Sequence, residues 1–156
     1  MCGLVGQFTF QTQSQKSHEL IRGLNNLARY RGPDNDGYWD DDIHCSLGFR
    51  RLAILDLSPS GDQPMVSPDE RFVIMINGEI YNFRELRAEL EGRGWRFRST
   101  GDAEVALFAL VEWGKAALDR FNGMFALAFY DRHEKRLLLA RDHVGSKPLY
   151  YLQDSR

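Results

Sequence analysis

A cysteine stands second in the chain and opens the run Cys2-Gly3-Leu4-Val5-Gly6-Gln7-Phe8, so one methionine cleavage would leave a thiol and a free α-amine on the same residue. A thiol attacks as its thiolate, and an α-amine with a pKa of about 7.7–8.0 can take the proton directly or through one water. Nucleophile and base are then one residue. By itself, an early cysteine behind an initiator methionine is an ordinary packing residue. A second chemical signal is Asn77-Gly78, at the end of an apolar run. An amide side chain and the adjacent backbone N–H can converge there on one point, as an oxyanion hole demands. The same dipeptide is also a common tight turn.

The elements that must position these residues follow from periodicity. Residues 2–10 are apolar and rich in β-formers, a buried first strand that carries the terminus inward. Over 17–29, Leu20, Ile21, Leu24, Leu27 and Ala28 recur at helical spacing behind a serine cap, which predicts an amphipathic helix. Gly32 to Gly37 is a turn, followed by strands near Tyr38-Trp39, over 45–49 and over 52–57, and then a loop over 58–64. Residues 71–76 form a Val/Ile-rich strand that hands straight to a tight turn at Asn77-Gly78. Asn82 can cap a helix over 83–91 that stops near Gly92 and Gly94. A short strand at 95–98, a largely apolar helix over 103–113 and a short helix around 116–120 come next. Residues 124–130 and 136–140, joined by polar residues, predict a hairpin. Helices lie between groups of strands without strict βαβ alternation, which places the fold in the α+β class.

At 156 residues, with 43% hydrophobic and 12% aromatic content, the chain fits one domain with a substantial core. Twenty basic and 22 acidic residues leave a formal charge of −2 with no basic block, so nucleic acid is not an expected partner. No stretch reaches the roughly 18 apolar residues of a membrane span, and the start lacks a charged n-region before an apolar core. A cytoplasmic protein without a membrane partner is expected. Cys2 and Cys45 make neither a disulfide framework nor a zinc spacing, and His18, His44, His133 and His143 are scattered, so no metal site is expected.

Beyond Cys2 the chain carries Arg31-Gly32-Pro33-Asp34, Arg51-Leu52, Asn77-Gly78-Glu79-Ile80-Tyr81-Asn82, Gly101-Asp102-Ala103-Glu104 and Asn122-Gly123-Met124-Phe125-Ala126. In that order and spacing these motifs resemble, nearly end to end, a class II (N-terminal nucleophile) glutamine amidotransferase domain, most closely the glutaminase half of glutamine-dependent asparagine synthetases. The amidotransferase domains of glucosamine-6-phosphate synthase and amidophosphoribosyltransferase share the terminal cysteine, but the Arg-Gly-Pro-Asp and Asn-Gly-Glu-Ile-Tyr-Asn motifs look like the asparagine synthetase branch. That branch also holds enzymes that amidate other carboxylates. The resemblance implies catalytic roles for Cys2, the nucleophile that forms a thioester, and for Asn77 and Gly78, the oxyanion donors. It implies that Arg51 binds the α-carboxylate of glutamine and that Asp102, with Glu79 beside it, meets the α-ammonium. Arg50 competes with Arg51, but strand alternation sends the two to opposite faces and the register against Leu52 selects Arg51. A surface salt bridge would also explain Arg51, and a helix N-cap Asp102. Arg31 is expected in a buried ion pair, the Asn122–Ala126 motif and Arg141-Asp142 in the scaffold, and His143 outside the chemistry, since a cysteine with its own amine needs no further base.

The resemblance also implies a four-layer αββα sandwich of the N-terminal nucleophile hydrolase type, with two facing antiparallel sheets, over residues 1–156. Family members continue past the counterpart of Pro148-Leu149-Tyr150-Tyr151 with more strands and then a synthetase domain. The chain is therefore expected to be incomplete at its C-terminus, with homodimerisation one way to cover unpaired edges. Glutamine hydrolysis needs no cofactor here, while ATP, magnesium and the acceptor belong to the synthetase domain that would receive the ammonia. The competing reading is an inactive domain of the same fold that serves as a regulatory or interaction module. Intact Cys2, Arg51, Asn77, Gly78 and Asp102 argue against it.

Overall fold

The computed structural model describes residues 1–10 and 18–154. Strands β1 (Gly3–Phe8), β2 (Asn35–Asp40) and β3 (Cys45–Arg51) form one antiparallel sheet in the order β1-β3-β2. Strands β4 (Met65–Val66), β5 (Phe72–Ile80), β6 (Gly123–Asp131) and β7 (Arg136–Arg141) form a second in the order β4-β5-β6-β7. Helix α1 (His18–Leu27) packs on β1 and β3, while α3 (Asp102–Trp113) packs on β5 and carries α2 (Phe83–Gly92) beside it. No helix among the described residues is long and apolar enough to cross a membrane.

Strand alternation explains the layers. On β5, Val73 and Met75 meet Cys45, Leu47 and Phe49 of β3 between the sheets, whereas Ile74, Ile76 and Ile80 point onto the helices. On β6, Ala128 and Tyr130 join the layer between the sheets and Phe125, Leu127 and Phe129 join the helical side. Both strands are covered on both faces and so read as nearly continuous apolar runs. Helix α3 is buried from Asp102 to Leu110, which is why it is apolar all round instead of striped. The stacking of helix, sheet, sheet and helices is the αββα sandwich that was expected, and the hairpin expected near residue 131 joins β6 to β7.

Several elements differ from expectation, each for a tertiary reason. Residues 52–57 form no strand, because the chain there folds its carbonyls around the Arg51 guanidinium. Residues 95–98 form none either. Trp95 and Phe97 pack on the ring of Phe108, with centroids 4.6 and 5.1 Å away, and the N–H groups of Arg98 and Ser99 donate to the Glu104 carboxylate instead of to a strand. Strand β5 does not stop at residue 76 but runs through Asn77-Gly78 to Ile80, paired with β6 throughout. Asn82 does not cap α2. Its amide donates to the Arg120 carbonyl and its Oδ1 accepts from the Asn122 N–H, both at 3.0 Å, which ties the start of α2 to the approach to β6. The short helix near 116–120 is a 3-10 helix over Gly114–Arg120. On α1, Ile21 and Asn25 turn inward and Leu20, Leu24 and Leu27 stay exposed; the expected Ser17 cap lies outside the described residues.

Candidate active site

At one end of the sandwich the inward rows become polar. The row Cys45, Leu47, Phe49 continues on β3 to Arg51, and Val73, Met75 continues on β5 to Asn77. Cys2 comes in just ahead of β1, and Asp102 comes in at the first turn of α3. Cys2, Arg51, Asn77, Gly78, Glu79 and Asp102 thus line one cavity of about 180 Å³. That is below the roughly 300–1,000 Å³ of drug-sized pockets and suits an amino acid better than a nucleotide.

The thiol of Cys2 is held at the end of β3, where the Leu52 N–H points at Sγ from 3.4 Å. Arg31, expected in a buried ion pair, is instead exposed and has no carboxylate partner among the described residues. Its Nε donates to the Cys2 carbonyl at 3.2 Å, so it fixes the backbone of the cysteine. Asn77 is buried, yet its side chain makes no hydrogen bond to the described residues, which leaves its amide for the cavity. Gly78 has φ 152°, and a Cβ there would lie 1.9 Å from the Met124 carbonyl oxygen, so only glycine lets β5 pass β6 at this point.

Glu79 and Asp102 put two carboxylates on the cavity wall. Burial raises the Asp102 carboxyl above the usual range and the charge of Glu79 adds to this, while the Ile80 N–H, donating to Asp102 Oδ2 at 2.8 Å, partly offsets it. Asp102 is the first residue of α3, one place inside the N-cap position, which Gly101 occupies. A cation in the cavity would relieve both acids.

Arg51 is 7% exposed and donates to the carbonyls of Ser58 at 2.9 Å, Leu55 at 3.4 Å and Asp56, and to Asp62 Oδ1 at 2.7 Å. The guanidinium therefore also organises the 55–62 loop, and a ligand carboxylate would bind it by exchanging with Asp62 or a loop carbonyl. Asp56 fastens the same loop to the opposite wall. Its carboxylate accepts from the Ser58 hydroxyl at 2.5 Å and the Thr100 N–H at 2.7 Å, and these bonds hold it well below the usual carboxylate range. Away from the cavity, exposed His18 and Asp42 and half-buried Asp40 bring ligand atoms within 4.8 Å of one another.

Over residues 1–156 the chain matches the glutamine amidotransferase domain family. The chain belongs to that family. It is 43% identical to asparagine synthetase [glutamine-hydrolyzing] 1 of Bacillus subtilis (strain 168), over 97% of this chain and 24% of that protein. It is 39% identical to asparagine synthetase B [glutamine-hydrolyzing] of Escherichia coli (strain K12), over 96% of this chain and 26% of that protein. It thus spans about a quarter of the length of these relatives. Among solved structures, the glutamine phosphoribosylpyrophosphate amidotransferase of B. subtilis superposes with a TM-score of 0.52 at 21% identity, over 65% of this chain and 24% of that one, a likeness of fold.

In this amidotransferase domain the residue that sequence reasoning missed is Lys147. It is buried at 6% exposure, lines the same cavity and sends its ammonium to Met1 Sδ at 2.9 Å. The sequence reading places Arg141-Asp142 in the scaffold and stops at His143, and the available signal for Lys147 was its place directly after Gly145-Ser146.

Proposed function

We propose that the domain hydrolyses the side-chain amide of glutamine to glutamate and ammonia through a Cys2 thioester, and that the ammonia serves an ATP-dependent synthetase that amidates aspartate. The observation that carries this reading is the convergence of Cys2, Arg51, Asn77, Gly78, Glu79 and Asp102 on one cavity of amino-acid size. Once Met1 is removed, the α-amine takes the thiol proton and the sulfur bonds to the amide carbon. The carbonyl oxygen becomes an oxyanion between the Asn77 amide and the Gly78 N–H. The amine then returns the proton to the nitrogen, the C–N bond breaks and ammonia leaves. Water adds to the thioester with the amine as base, the C–S bond breaks, and glutamate and the thiol are released. Arg51 holds the α-carboxylate, and Glu79 and Asp102 hold the α-ammonium. ATP and magnesium belong to the synthetase domain, and no step here runs through them. The names of the relatives support aspartate as acceptor. The cytoplasm as setting, that synthetase domain as partner and pairing of two copies complete the reading.

The test is an intact mass before and after incubation with an electrophilic glutamine analogue, with Cys2→Ala as control. Loss of Met1 and one Cys2-dependent adduct, blocked by excess glutamine, is the expected result. A Met1-free domain that forms no adduct would favour the inactive, regulatory module, for which the prior engagement of Arg51 by its own loop is the supporting observation.

Two further outcomes follow from these roles. Arg51→Lys is expected to raise KM for glutamine about tenfold or more, because a point charge replaces a planar fork, and to lower Tm because an ammonium has only three donors for the loop. Steady-state kinetics with a thermal melt check both, and an unchanged KM would remove Arg51 from the carboxylate site. Only ionised Asp102 attracts an ammonium, and its carboxyl is raised. KM is therefore expected to climb on acidification at a pH above the value of about 3.9 where an ordinary aspartate titrates. A KM profile with its acid limb at ordinary carboxylate values would count against Asp102.

A further inference from the structure

Lys147 brings to the cavity a cation that the proposed hydrolysis does not use. Its place is set by Asp142, which is buried and accepts the N–H groups of Ser146 at 2.8 Å, Lys147 at 3.1 Å and Phe125 at 3.1 Å. Burial pushes the Asp142 carboxyl up, but these bonds outweigh it and hold it at about 2. An ionised clamp thus fixes Lys147 to the start of β6. The Lys147 ammonium donates to Met1 Sδ and pairs with no carboxylate of the described residues. A thioether is a weak acceptor and a buried ammonium requires a strong one, so this contact leaves the charge poorly compensated. Met1 is also the residue whose removal frees the Cys2 amine. Without it, the ammonium faces the space beside Cys2.

Resting on the reading of Cys2 as nucleophile, we propose that Lys147 is the cationic partner of the Cys2 thiolate in the Met1-free domain. A nearby cation stabilises the thiolate that is left on Cys2 once its proton has moved to the amine. Lys147 takes no part in that transfer. The other charged side chains at the cavity and at Cys2 do not fill this role. Glu79 and Asp102 repel a thiolate, Arg51 is paired with Asp62, and Arg31 is bound to the Cys2 carbonyl.

The experiment compares the Met1-free domain with K147M, K147Q and K147R by the rate of iodoacetamide alkylation at Cys2 as a function of pH, read by peptide mass, alongside glutaminase kinetics and a thermal melt. Fully buried Cys45 is the internal reference. K147M and K147Q are expected to slow alkylation near neutral pH about tenfold and to move the midpoint of the rate profile up by roughly one pH unit, with K147R restoring most of the rate. They are expected to lower kcat more than they raise KM. K147Q keeps a polar head in the cavity and serves if the apolar variant loses its fold. An unshifted profile in either folded variant overturns the proposal. Iodoacetamide needs no glutamine site, so a shifted profile without glutaminase activity upholds Lys147 and sinks the proposed function, whereas activity with an unshifted profile does the reverse.

Discussion

Cys2→Ala is expected to bring glutamine hydrolysis down by about 10⁴-fold or more while the melting temperature stays within a few degrees of the parent. The loss is large because the α-amine has no proton to take and no thioester can form, so only the donors and the bound geometry remain. The fold survives because Cys2 is only half-buried and packs at the rim of the layer between the sheets, whose centre is Cys45, Leu47, Phe49, Val73 and Met75. Glutamate release and a melt on the Met1-free protein check both halves. Substantial hydrolysis by the alanine variant would end the assignment of Cys2 as nucleophile.

Gly78→Ala is expected to damage stability and activity together. The new Cβ would lie 1.9 Å from the Met124 oxygen and 2.6 Å from the Phe125 Cα, at a φ of 152° that side chains other than hydrogen rarely adopt. Those neighbours are backbone, so relief means parting β5 from β6 where Gly78 pairs with Phe125. A cost of roughly 3 kcal/mol is expected, read as a Tm lower by about 6–12 °C, with glutaminase activity down more than about 100-fold as the N–H leaves its place. Asn77→Ala is the contrasting variant. Its amide makes no bond to the described residues, so it is expected to lose about 10²–10³ in kcat at nearly unchanged Tm. If Gly78→Ala melts like the parent, the β5–β6 contact is not what demands glycine.

The sequence by itself determined the layers and brought forward six of the residues that line the cavity. Period-two alternation is written in consecutive residues, so Val73 and Met75 against Ile74 and Ile76 already state that β5 is covered on both faces, and the uniform apolarity of α3 states that it is buried. The same alternation predicts that Arg51 points away from Arg50, and it carries Arg51 and Asn77 into the gap between the sheets. What only the tertiary structure decided are contacts between distant stretches, which no local pattern encodes. Asn77-Gly78 looks like a turn until β6 pairs with it; residues 52–57 look like a strand until their carbonyls close on Arg51; and Arg31 looks like half of an ion pair until it meets the Cys2 carbonyl. Lys147 lies 146 positions from Met1, and its sequence neighbours describe only a turn. Its place on the cavity wall is fixed by a buried aspartate that binds β6, and that is a property of the folded chain alone.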